Sequence, residues 1–327
     1  MSPSFCRLAI LGFGTVGSAV ARRLTGPHVP SGLELTHIFD RSAARKRDAW
    51  PAASRAVWTT DIDAVLAGDA DVVIETIGGL EPAADWTRAA LAAGKSVVTA
   101  NKQVVARHGP ALLTLAASHR RQLRFEAAVG GAMPIVRAIG GGLAGDRLTK
   151  IVAILNGTTN AVLSRMEATG CSLDAAIADA RARGYAESDP SADLDGSDAA
   201  AKLSILCGLA FGVRVDPDAI PTRTTATVTA ADLERAHLSG GTIRQLAHAE
   251  YDHATATLAA SVAPAFVSST SIFAAASGPQ NAAVISGASS GDITIAGAGA
   301  GGDATAVAIL SDVIAIARDS ALMEAVC

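Results

Sequence analysis

Short, unbroken runs of apolar residues alternate with helical patterns over the first third of the chain. Four such runs occur, at residues 7–11, 33–39, 71–77 and 95–99. Because they do not alternate between apolar and polar positions, they predict strands buried on both faces of a sheet. Helices are predicted between them at 15–24 and 82–93, the second with a proline in its first turn and a glycine just past its end. This order predicts an α/β domain whose doubly wound parallel sheet is covered by helices on both faces.

The pattern changes after residue 130. A strand is predicted at 149–155, a half-exposed antiparallel strand at 254–262, and short strands and turns from 266 to 302, where Ala, Ser and Gly dominate. The helices predicted in this part of the chain lie at 159–167, 173–183, 198–211 and 305–318. We therefore expect two domains, one formed by 1–130 and completed by a helix at 303–327, the other an α+β domain formed by 131–302.

Composition narrows the class of protein. With 327 residues, half of them hydrophobic, the chain can form the cores of two domains and is not intrinsically disordered. A net charge of −4 argues against nucleic acid or an anionic membrane as a partner. The four cysteines are dispersed, and we find no signal peptide and no apolar stretch of membrane-spanning length. These features predict an enzyme of the cytoplasm without a disulfide framework or a structural zinc.

A glycine-rich turn follows the first predicted strand and opens the first predicted helix. Gly12 permits a tight turn, Gly14 lets the backbone approach a pyrophosphate, and Gly17 allows helix and strand to pack closely. Asp40 ends the second strand, where an acidic residue can bind the ribose hydroxyls of a dinucleotide. The turn therefore predicts a dinucleotide site; the alternative is a glycine-rich turn that binds nothing.

The cofactor is expected to be NAD, with NADP possible. Asp40 accepts hydrogen bonds from ribose hydroxyls and repels a 2′-phosphate. Four cations follow it that could pair with that phosphate: Arg41, Arg45, Lys46 and Arg47. We prefer the interpretation that these cations form a solvated helix face.

Two further segments begin helices at the ends of predicted strands. In TANK (99–102), Lys102 can reach a carboxylate substrate or the cofactor, or it is an ordinary surface lysine. In NGTTN (156–160), backbone N–H groups and hydroxyls are available to an anion, unless Thr158 only caps the helix. A second glycine-rich turn, at 297–305, indicates only a close approach of backbone.

The stretch at 184–202 carries an unusual density of carboxylates. With Ser197 as the predicted N-cap, Asp198 and Lys202 are four residues apart on one helix face, where the helix enters the core. The alternative to a catalytic pair is a solvated turn with one surface ion pair. The histidines are scattered, without metal-ligand spacing, and none is assigned to catalysis.

Taken together, these motifs resemble those of the homoserine dehydrogenases. The segments are GFGTVG (12–17), TANK (99–102), FEAAVGGAMPI (125–135), ILNGTTN (154–160), GYAESDPSADLDGSDAAAK (184–202) and GAGAGGDATA (297–306). They occur in the family's order over nearly the whole chain. The resemblance implies a Rossmann-type domain, a substrate-binding and dimerisation domain, and a homodimer. It also implies NAD(P)-dependent interconversion of L-aspartate 4-semialdehyde and L-homoserine, on the branch of amino-acid biosynthesis that leads to threonine and methionine.

The resemblance also assigns roles to residues. Lys202 would be the acid/base and Lys102 a second essential lysine near cofactor and substrate, while Asp198 would help to complete the polar site. The substrate would be bound by Glu187 (through its amino group), Asp193, Tyr185, Gly157 and Thr158. The cofactor would contact Gly12, Phe13, Gly14, Thr15, Val16, Gly17, Asp40, Thr76, Lys102 and Gly301. A monovalent cation, Na⁺ or K⁺, would lie at Glu126, Val129, Gly131 and Met133.

The chain departs from many relatives at two points. Phe39 stands where they carry an arginine before the acidic residue, which weakens the case for NADP. The chain also stops soon after the last helix, so we expect a short form without a C-terminal regulatory domain or feedback through it. Two alternatives stay open: a related NAD-dependent dehydrogenase of another small amino or hydroxy acid, and a non-catalytic dinucleotide-binding sensor.

Overall fold

The computed structural model describes residues 6–27, 29–186 and 189–326. Its chain divides into two compact units, Met1–Ala128 with Gly302–Cys327, and Val129–Gly301. The chain thus leaves the first unit at residue 128 and returns to it at residue 302 with a single helix. None of the helices in the described part of the chain is both long enough and apolar enough to span a membrane.

A six-stranded parallel sheet forms the centre of the first unit, in the order β3-β2-β1-β4-β5-β6. Its strands are β1 (Cys6–Leu11), β2 (Leu33–Phe39), β3 (Val57–Thr59), β4 (Val72–Glu75), β5 (Ser96–Thr99) and β6 (Leu123–Arg124). The unbroken apolar runs are buried as expected, since Leu8 to Leu11 and Val72 to Ile74 are fully buried. The predicted Rossmann-type parallel sheet is confirmed.

Helices connect the strands of the first unit. They are α1 (Thr15–Thr25), α2 (Ala43–Asp48), α3 (Ile62–Ala67), α4 (Ala83–Ala92), α5 (Lys102–Ser118) and the returning helix α13 (Gly302–Val326). The returning helix contributes Ile309 and Val313 to the same core cluster as Leu8 and Val20. This helix is therefore an integral part of the core of the first unit.

A five-stranded antiparallel sheet forms the second unit, in the order β11-β10-β7-β8-β9. Its strands are β7 (Leu148–Ile154), β8 (Gly241–Asp252), β9 (Thr257–Ser268), β10 (Gln280–Gly287) and β11 (Gly291–Ala298). Ile151 and Ala153 are fully buried, whereas Val152 between them is half-buried, so the two faces of the sheet differ in exposure. This arrangement confirms the predicted α+β character of the second unit.

The helices of the second unit vary greatly in length. They are α6 (Ile135–Arg137), α7 (Gly157–Thr169), α8 (Leu173–Ala182), α9 (Ser191–Leu194), α10 (Ser197–Phe211), α11 (Ala230–Leu238) and α12 (Ile272–Ala275). Short 3-10 segments lie in the two units at Pro51–Ala53, Glu126–Ala128, Pro217–Ala219 and Thr225–Thr227, and a π-helical turn at Ala138–Gly142. Of these helices, α7, α9 and α10 carry polar residues described below.

Two predictions for this unit are wrong in detail. The strand predicted at 254–262 begins only at Thr257, because residues 253–256 form the turn between β8 and β9. The short strands predicted between 266 and 302 are present as β10 and β11, of eight residues each. Ser197 does not cap α10: the capping residue is Gly196, whose φ of +89° lies in the left-handed region that glycine favours.

Candidate functional site

The glycine-rich turn after β1 has the geometry that close backbone packing requires. Gly12 has a φ of +92°, and a Cβ atom there would lie 3.0 Å from the carbonyl oxygen of Thr76. A Cβ at Gly17 would lie 2.0 Å from the carbonyl oxygen of Gly12, so no larger residue fits. Around Gly14, by contrast, space is open, and no side chain caps the N-terminus of α1. The first N–H groups of this helix are thus presented to an anion, and the residues fit a dinucleotide pyrophosphate.

The side chain of Phe13 points into the protein. It is buried, and its ring packs edge-on against Trp50 and Trp58, with centroids 5.3 and 4.7 Å away. Only its backbone faces the turn: its N–H donates to Asp40 and its carbonyl accepts from Lys46, each at 2.9 Å. Phe13 therefore contributes to the turn through its backbone, while its ring belongs to the core.

Asp40 lies beside the glycine turn, held by three donors. Its carboxylate accepts from the backbone N–H of Phe13 (2.9 Å) and of Ser42 (2.8 Å), and from the Lys46 ammonium at 2.7 Å. Burial alone would raise the pKa of Asp40, but the hydrogen bonds from Lys46, Ser42 and Phe13 outweigh it and hold the pKa below its usual value. Asp40 therefore provides a fixed negative charge at the end of β2.

Lys46 departs from the solvated helix face that we preferred for the cations of α2. Its side chain is 29% exposed and is directed onto Asp40, which is 12% exposed. Arg41, Arg45 and Arg47 are exposed, as expected of a solvated face. Lys46 differs from the other cations because it forms an ion pair with Asp40, six residues earlier. This ion pair is partly shielded from water.

A cavity of about 390 Å³ opens beside these groups. The glycine turn and the Asp40–Lys46 pair line it on one side, and the loop after β4 with Trp86 lines it on the other. Trp86 packs edge-on against Phe39 with ring centroids 4.9 Å apart. An apolar wall beside a fixed carboxylate is suited to a nucleoside, with its base on the wall and its ribose at Asp40.

Thr76 links the glycine turn to the loop after β4. Its hydroxyl donates to the carbonyl oxygens of Gly12 (2.9 Å) and Leu11 (3.1 Å). Lys102 is half-buried and is the first residue of α5, directly after the loop that follows β5. Asn101 caps that helix by accepting from the N–H groups of Gln103 and Val104.

A second set of polar groups is gathered in the second unit, around Asp198 and Lys202 on α10. The Lys202 ammonium donates to the Asp198 carboxylate at 2.7 Å and to the carbonyl oxygen of Leu155 at 2.8 Å. The side chains are 13% and 5% exposed, so this is no surface ion pair. The spacing of four residues places both on one helix face.

Asn156 joins this pair to Asp193. Its amide donates to Asp193 at 2.6 Å and to Asp198 at 2.8 Å, while its oxygen caps α7 by accepting from the N–H of Thr159. Asn156 is thus the cap that we had considered Thr158 to be. Motif reasoning gave Asn156 no role, although its place between a strand and a helix was a signal for a capping residue.

The predicted substrate residues lie around the same cluster. Thr158 donates through its hydroxyl to the carbonyl oxygen of Tyr185 at 2.6 Å, and Gly157 is the first residue of α7. Gln245, which the sequence did not single out, donates at 3.2 Å to the carbonyl oxygen of Asp193. Glu187 lies outside the described residues.

The residues predicted to hold a monovalent cation include buried oxygen groups. Glu126 is buried, and its backbone N–H donates to the buried Asp312 at 2.9 Å. A Cβ at Gly131 would lie 2.7 Å from the carbonyl oxygens of Ala298 and Gly299. Val129 and Met133 are also buried, which leaves their carbonyl oxygens as the groups able to bind an ion. Carboxylate and carbonyl oxygens are the donors that hard cations take, so each of these groups is of the chemical type that binds such an ion.

Gly301, the last predicted cofactor residue, has a φ of +113° and open space around it. It is exposed, and it immediately precedes α13. Thr15 and Val16 lie in the first turn of α1, Thr15 exposed and Val16 half-buried.

Comparisons with known proteins match nearly the whole chain. A family profile described as homoserine dehydrogenase matches residues 134–314, and a second, the NAD-binding domain of homoserine dehydrogenase, matches residues 12–126. The homoserine dehydrogenase of Mycobacterium tuberculosis is 39% identical over 96% of this chain and 73% of its own length.

Two solved structures are also similar. The homoserine dehydrogenase from Thiobacillus denitrificans superposes with a TM-score of 0.88 and 34% identity, covering 95% of this chain and 73% of that one. A hyperthermophilic archaeal homoserine dehydrogenase in complex with NADPH superposes with a TM-score of 0.79 and 28% identity, covering 96% and 98%.

Proposed function

Because the chain belongs to the homoserine dehydrogenase family, an NAD(P)-dependent oxidoreductase family acting on a CH–OH group, we propose that it interconverts L-aspartate 4-semialdehyde and L-homoserine with Lys202 as the general acid/base. One observation carries the assignment: a lysine ammonium only 13% exposed, aligned by a carboxylate at 2.7 Å and a carbonyl oxygen at 2.8 Å. A shielded, oriented proton donor is what this reduction needs.

The proton transfer follows from the chemistry of the aldehyde. When bound, the nicotinamide cofactor supplies the hydride in reduction and accepts it in oxidation. Negative charge then develops on the aldehyde oxygen, and the Lys202 ammonium neutralises it by donating a proton to that oxygen. In the reverse direction the neutral amine takes the hydroxyl proton of homoserine. Asp198 and the Leu155 carbonyl hold the nitrogen in place for both steps.

Substrate binding is assigned to the groups around this lysine. The substrate ammonium is bound by Glu187, and Asp193 and Asp198 complete the polar site. The substrate carboxylate lies at the start of α7, at Gly157 and Thr158, where helix N–H groups favour an anion. Tyr185, tied to Thr158 through its carbonyl oxygen, lines the same place. Lys102 is assigned as the second essential lysine, near cofactor and substrate.

NAD is proposed as the preferred cofactor, with NADP accepted less well. The support is the fixed negative charge of Asp40, which receives the ribose hydroxyls and repels a 2′-phosphate. Lys46 weakens that repulsion, since it neutralises part of the charge. A monovalent cation, Na⁺ or K⁺, is proposed at Glu126, Val129, Gly131 and Met133, because carboxylate and carbonyl oxygens are the donors that hard cations take.

A homodimer is proposed through the outer face of the antiparallel sheet. Val152, Leu246 and Val284 lie half-buried on that face, opposite the fully buried Ile151, and each packs on one side against an apolar cluster of the same unit. A second copy would cover these apolar residues, and Val152→Asp should then shift the chain toward monomer in light scattering coupled to size exclusion.

Initial rates of homoserine oxidation with NAD and with NADP, with and without K⁺ or Na⁺, test the proposed function. Lys202→Met removes the acid/base and should lower turnover by about 10²–10⁴-fold. Lys202→Arg is the matched control. It keeps a positive charge beside the Asp198 carboxylate, but a guanidinium cannot release a proton at neutral pH. Both variants should bind NADH normally and show this loss of turnover. Turnover near that of the wild type in either one would contradict the role of Lys202.

A further inference from the structure

A carboxyl group that the proposed reaction does not use is buried at the carboxyl edge of the parallel sheet. Glu75 is the last residue of β4 and is 0% exposed. It stands between Leu11 of β1 and Thr99 of β5 in the strand register. The strand order reverses direction between β1 and β4, and ligands of open α/β sheets bind at that point.

The groups that satisfy Glu75 are uncharged. One carboxyl oxygen accepts from the Thr99 hydroxyl at 2.5 Å and the other from the Ile77 N–H at 2.8 Å. Burial raises the pKa of Glu75, against hydrogen bonds from Thr99, Ile77, Gly78 and Asn101 that lower it. An apolar residue would occupy this interior position at a lower cost in desolvation. The contribution of Glu75 must therefore lie in the groups that donate hydrogen bonds to its carboxyl oxygens.

Those oxygens connect two loops that carry predicted site residues. On one side, Glu75 binds the N–H of Ile77, directly after Thr76, whose hydroxyl holds the glycine turn. On the other side, it binds Thr99, whose hydroxyl oxygen accepts from the N–H of Asn101 at 2.9 Å.

Asn101 closes the connection. Its amide donates to the carbonyl oxygen of Gly79 at 2.6 Å, and its oxygen caps the helix that begins with Lys102. The loop after β4 and the start of α5 are thereby joined twice, once through the buried carboxyl and once through the Asn101 amide. A shift of either loop would move the first turn of α5.

We propose that Glu75 is a positioning residue: through Thr99 and Asn101 its carboxyl sets the start of the helix that carries Lys102, relative to the glycine turn that holds the cofactor. The inference rests on the proposed role of Lys102. It assigns no chemical step to Glu75, which stays buried behind the two loops throughout the reaction.

The test uses the full chain with paired substitutions along this connection. Thr99→Val keeps the volume of Thr99 but removes both of its hydrogen bonds, whereas Thr99→Ser keeps them. Glu75→Leu removes the carboxyl, and Glu75→Gln keeps the length of the side chain if the leucine variant does not fold. For each variant we would measure kcat and KM for homoserine at saturating NAD, the Kd of NADH, and Tm.

We expect Glu75→Leu and Thr99→Val to lower kcat by about tenfold or more, with a smaller change in KM, while Thr99→Ser stays within about twofold of the wild type. Glu75→Gln should fall between these values. The double variant Glu75→Leu/Thr99→Val should be no worse than the poorer single variant, because residues of one network are not additive.

Lys95→Met is the matched control for a loss of stability alone. Lys95 is also buried in the first unit, but it precedes β5 and donates to the carbonyl oxygens of Gly68 and Ala70. It should lower Tm without changing kcat. The proposal is overturned if Glu75→Leu keeps wild-type kcat, if Thr99→Ser is as poor as Thr99→Val, or if kcat simply follows Tm across all variants, Lys95→Met included.

Lys102→Met, measured alongside, separates the two proposals. If Lys102→Met is fully active, the proposed role of Lys102 is wrong. If Lys102→Met is inactive while Glu75→Leu is normal, only the proposed role of Glu75 is wrong.

Discussion

Removing the charge of Asp40 should shift the cofactor preference toward NADP. In the wild type, the ammonium of Lys46 is held 2.7 Å from the Asp40 carboxylate and 2.9 Å from the Phe13 carbonyl oxygen. Asp40→Asn keeps the shape of the side chain and an oxygen that can accept from Phe13. It removes the repulsion of a 2′-phosphate and leaves Lys46 without its anion.

The size of the shift follows from the partial burial of this pair, with side chains 12% and 29% exposed. A unit charge about 5 Å from the phosphate contributes about 3 kcal/mol at an effective dielectric constant of about 20. Salt and the mobility of the lysine reduce this to about 1–2 kcal/mol. The ratio of kcat/KM for NADP to that for NAD should therefore rise by about 5- to 30-fold.

Initial rates of homoserine oxidation over a range of each cofactor measure this ratio. Lys46→Met should move it in the opposite direction, since Asp40 is then uncompensated. Arg45→Met is the control, because Arg45 is an exposed cation on the same helix and should leave the ratio within about twofold. An unchanged ratio in Asp40→Asn, or an equal effect of Arg45→Met, would refute the electrostatic reasoning.

Three further predictions concern stability. Asn156→Ala removes the cap of α7 and the donors to Asp193 and Asp198, so the free energy of unfolding in urea should fall by about 2–4 kcal/mol, and a change below about 1 kcal/mol would count against the network. Arg244 is only 2% exposed, and Glu167→Gln removes the carboxylate that lies 2.8 Å from its guanidinium, so the free energy of unfolding in the same assay should fall by about 2–3 kcal/mol. A loss under about 0.5 kcal/mol, as expected for an exposed ion pair, would show that the burial of Arg244 does not strengthen its dependence on Glu167. Burial raises the pKa of Glu75, so the folded state favours the protonated carboxyl. The stability that this preference contributes is fully present below the pKa of about 4.3 in the unfolded chain, and it is lost as pH rises through the pKa in the folded protein. Thermal scans across that range should therefore show the Tm of Glu75→Gln rising relative to the wild type with pH, and a constant difference would contradict the raised pKa.

Four strands of the parallel sheet, β1, β2, β4 and β5, were predictable because they carry their own signal, whereas the short strands β3 and β6 were not predicted. An apolar run such as Val72–Ile74 is fully buried, and no polar residue interrupts the pattern. The glycine turn was predictable for a similar reason, since the constraints on Gly12 and Gly17 come from backbone a few residues away or from the next strand of the same sheet. Periodicity and turn chemistry reflect this kind of local or regular packing directly.

The antiparallel sheet was less accessible to the same reasoning. β8 was not predicted at all, because buried Arg244 and Gln245 interrupt its apolar pattern. Their burial depends on partners far away in the sequence: Glu167 for the arginine, and Thr225 with the Asp193 carbonyl for the glutamine. Such partners are invisible to a window that moves along the chain.

The candidate site divides along the same line. The Asp198–Lys202 pair was visible as a spacing of four residues on one helix. Asn156 was not, because it binds Asp193 and Asp198 across 37 and 42 residues of chain. The pairing of Lys46 with Asp40 was missed for another reason: α2 carries several cations, and only the fold selects the one that turns inward.

The return of the chain to its first unit through α13 has a consequence for biosynthesis on the ribosome. Residues 129–301 form an insertion that is translated in full before Ile309 and Val313, which belong to the same core as Leu8 and Val20. Until α13 has been translated, the core of the nascent parallel sheet therefore lacks the side chains that this helix contributes. During translation, the first unit should consequently complete its core last, when α13 becomes available.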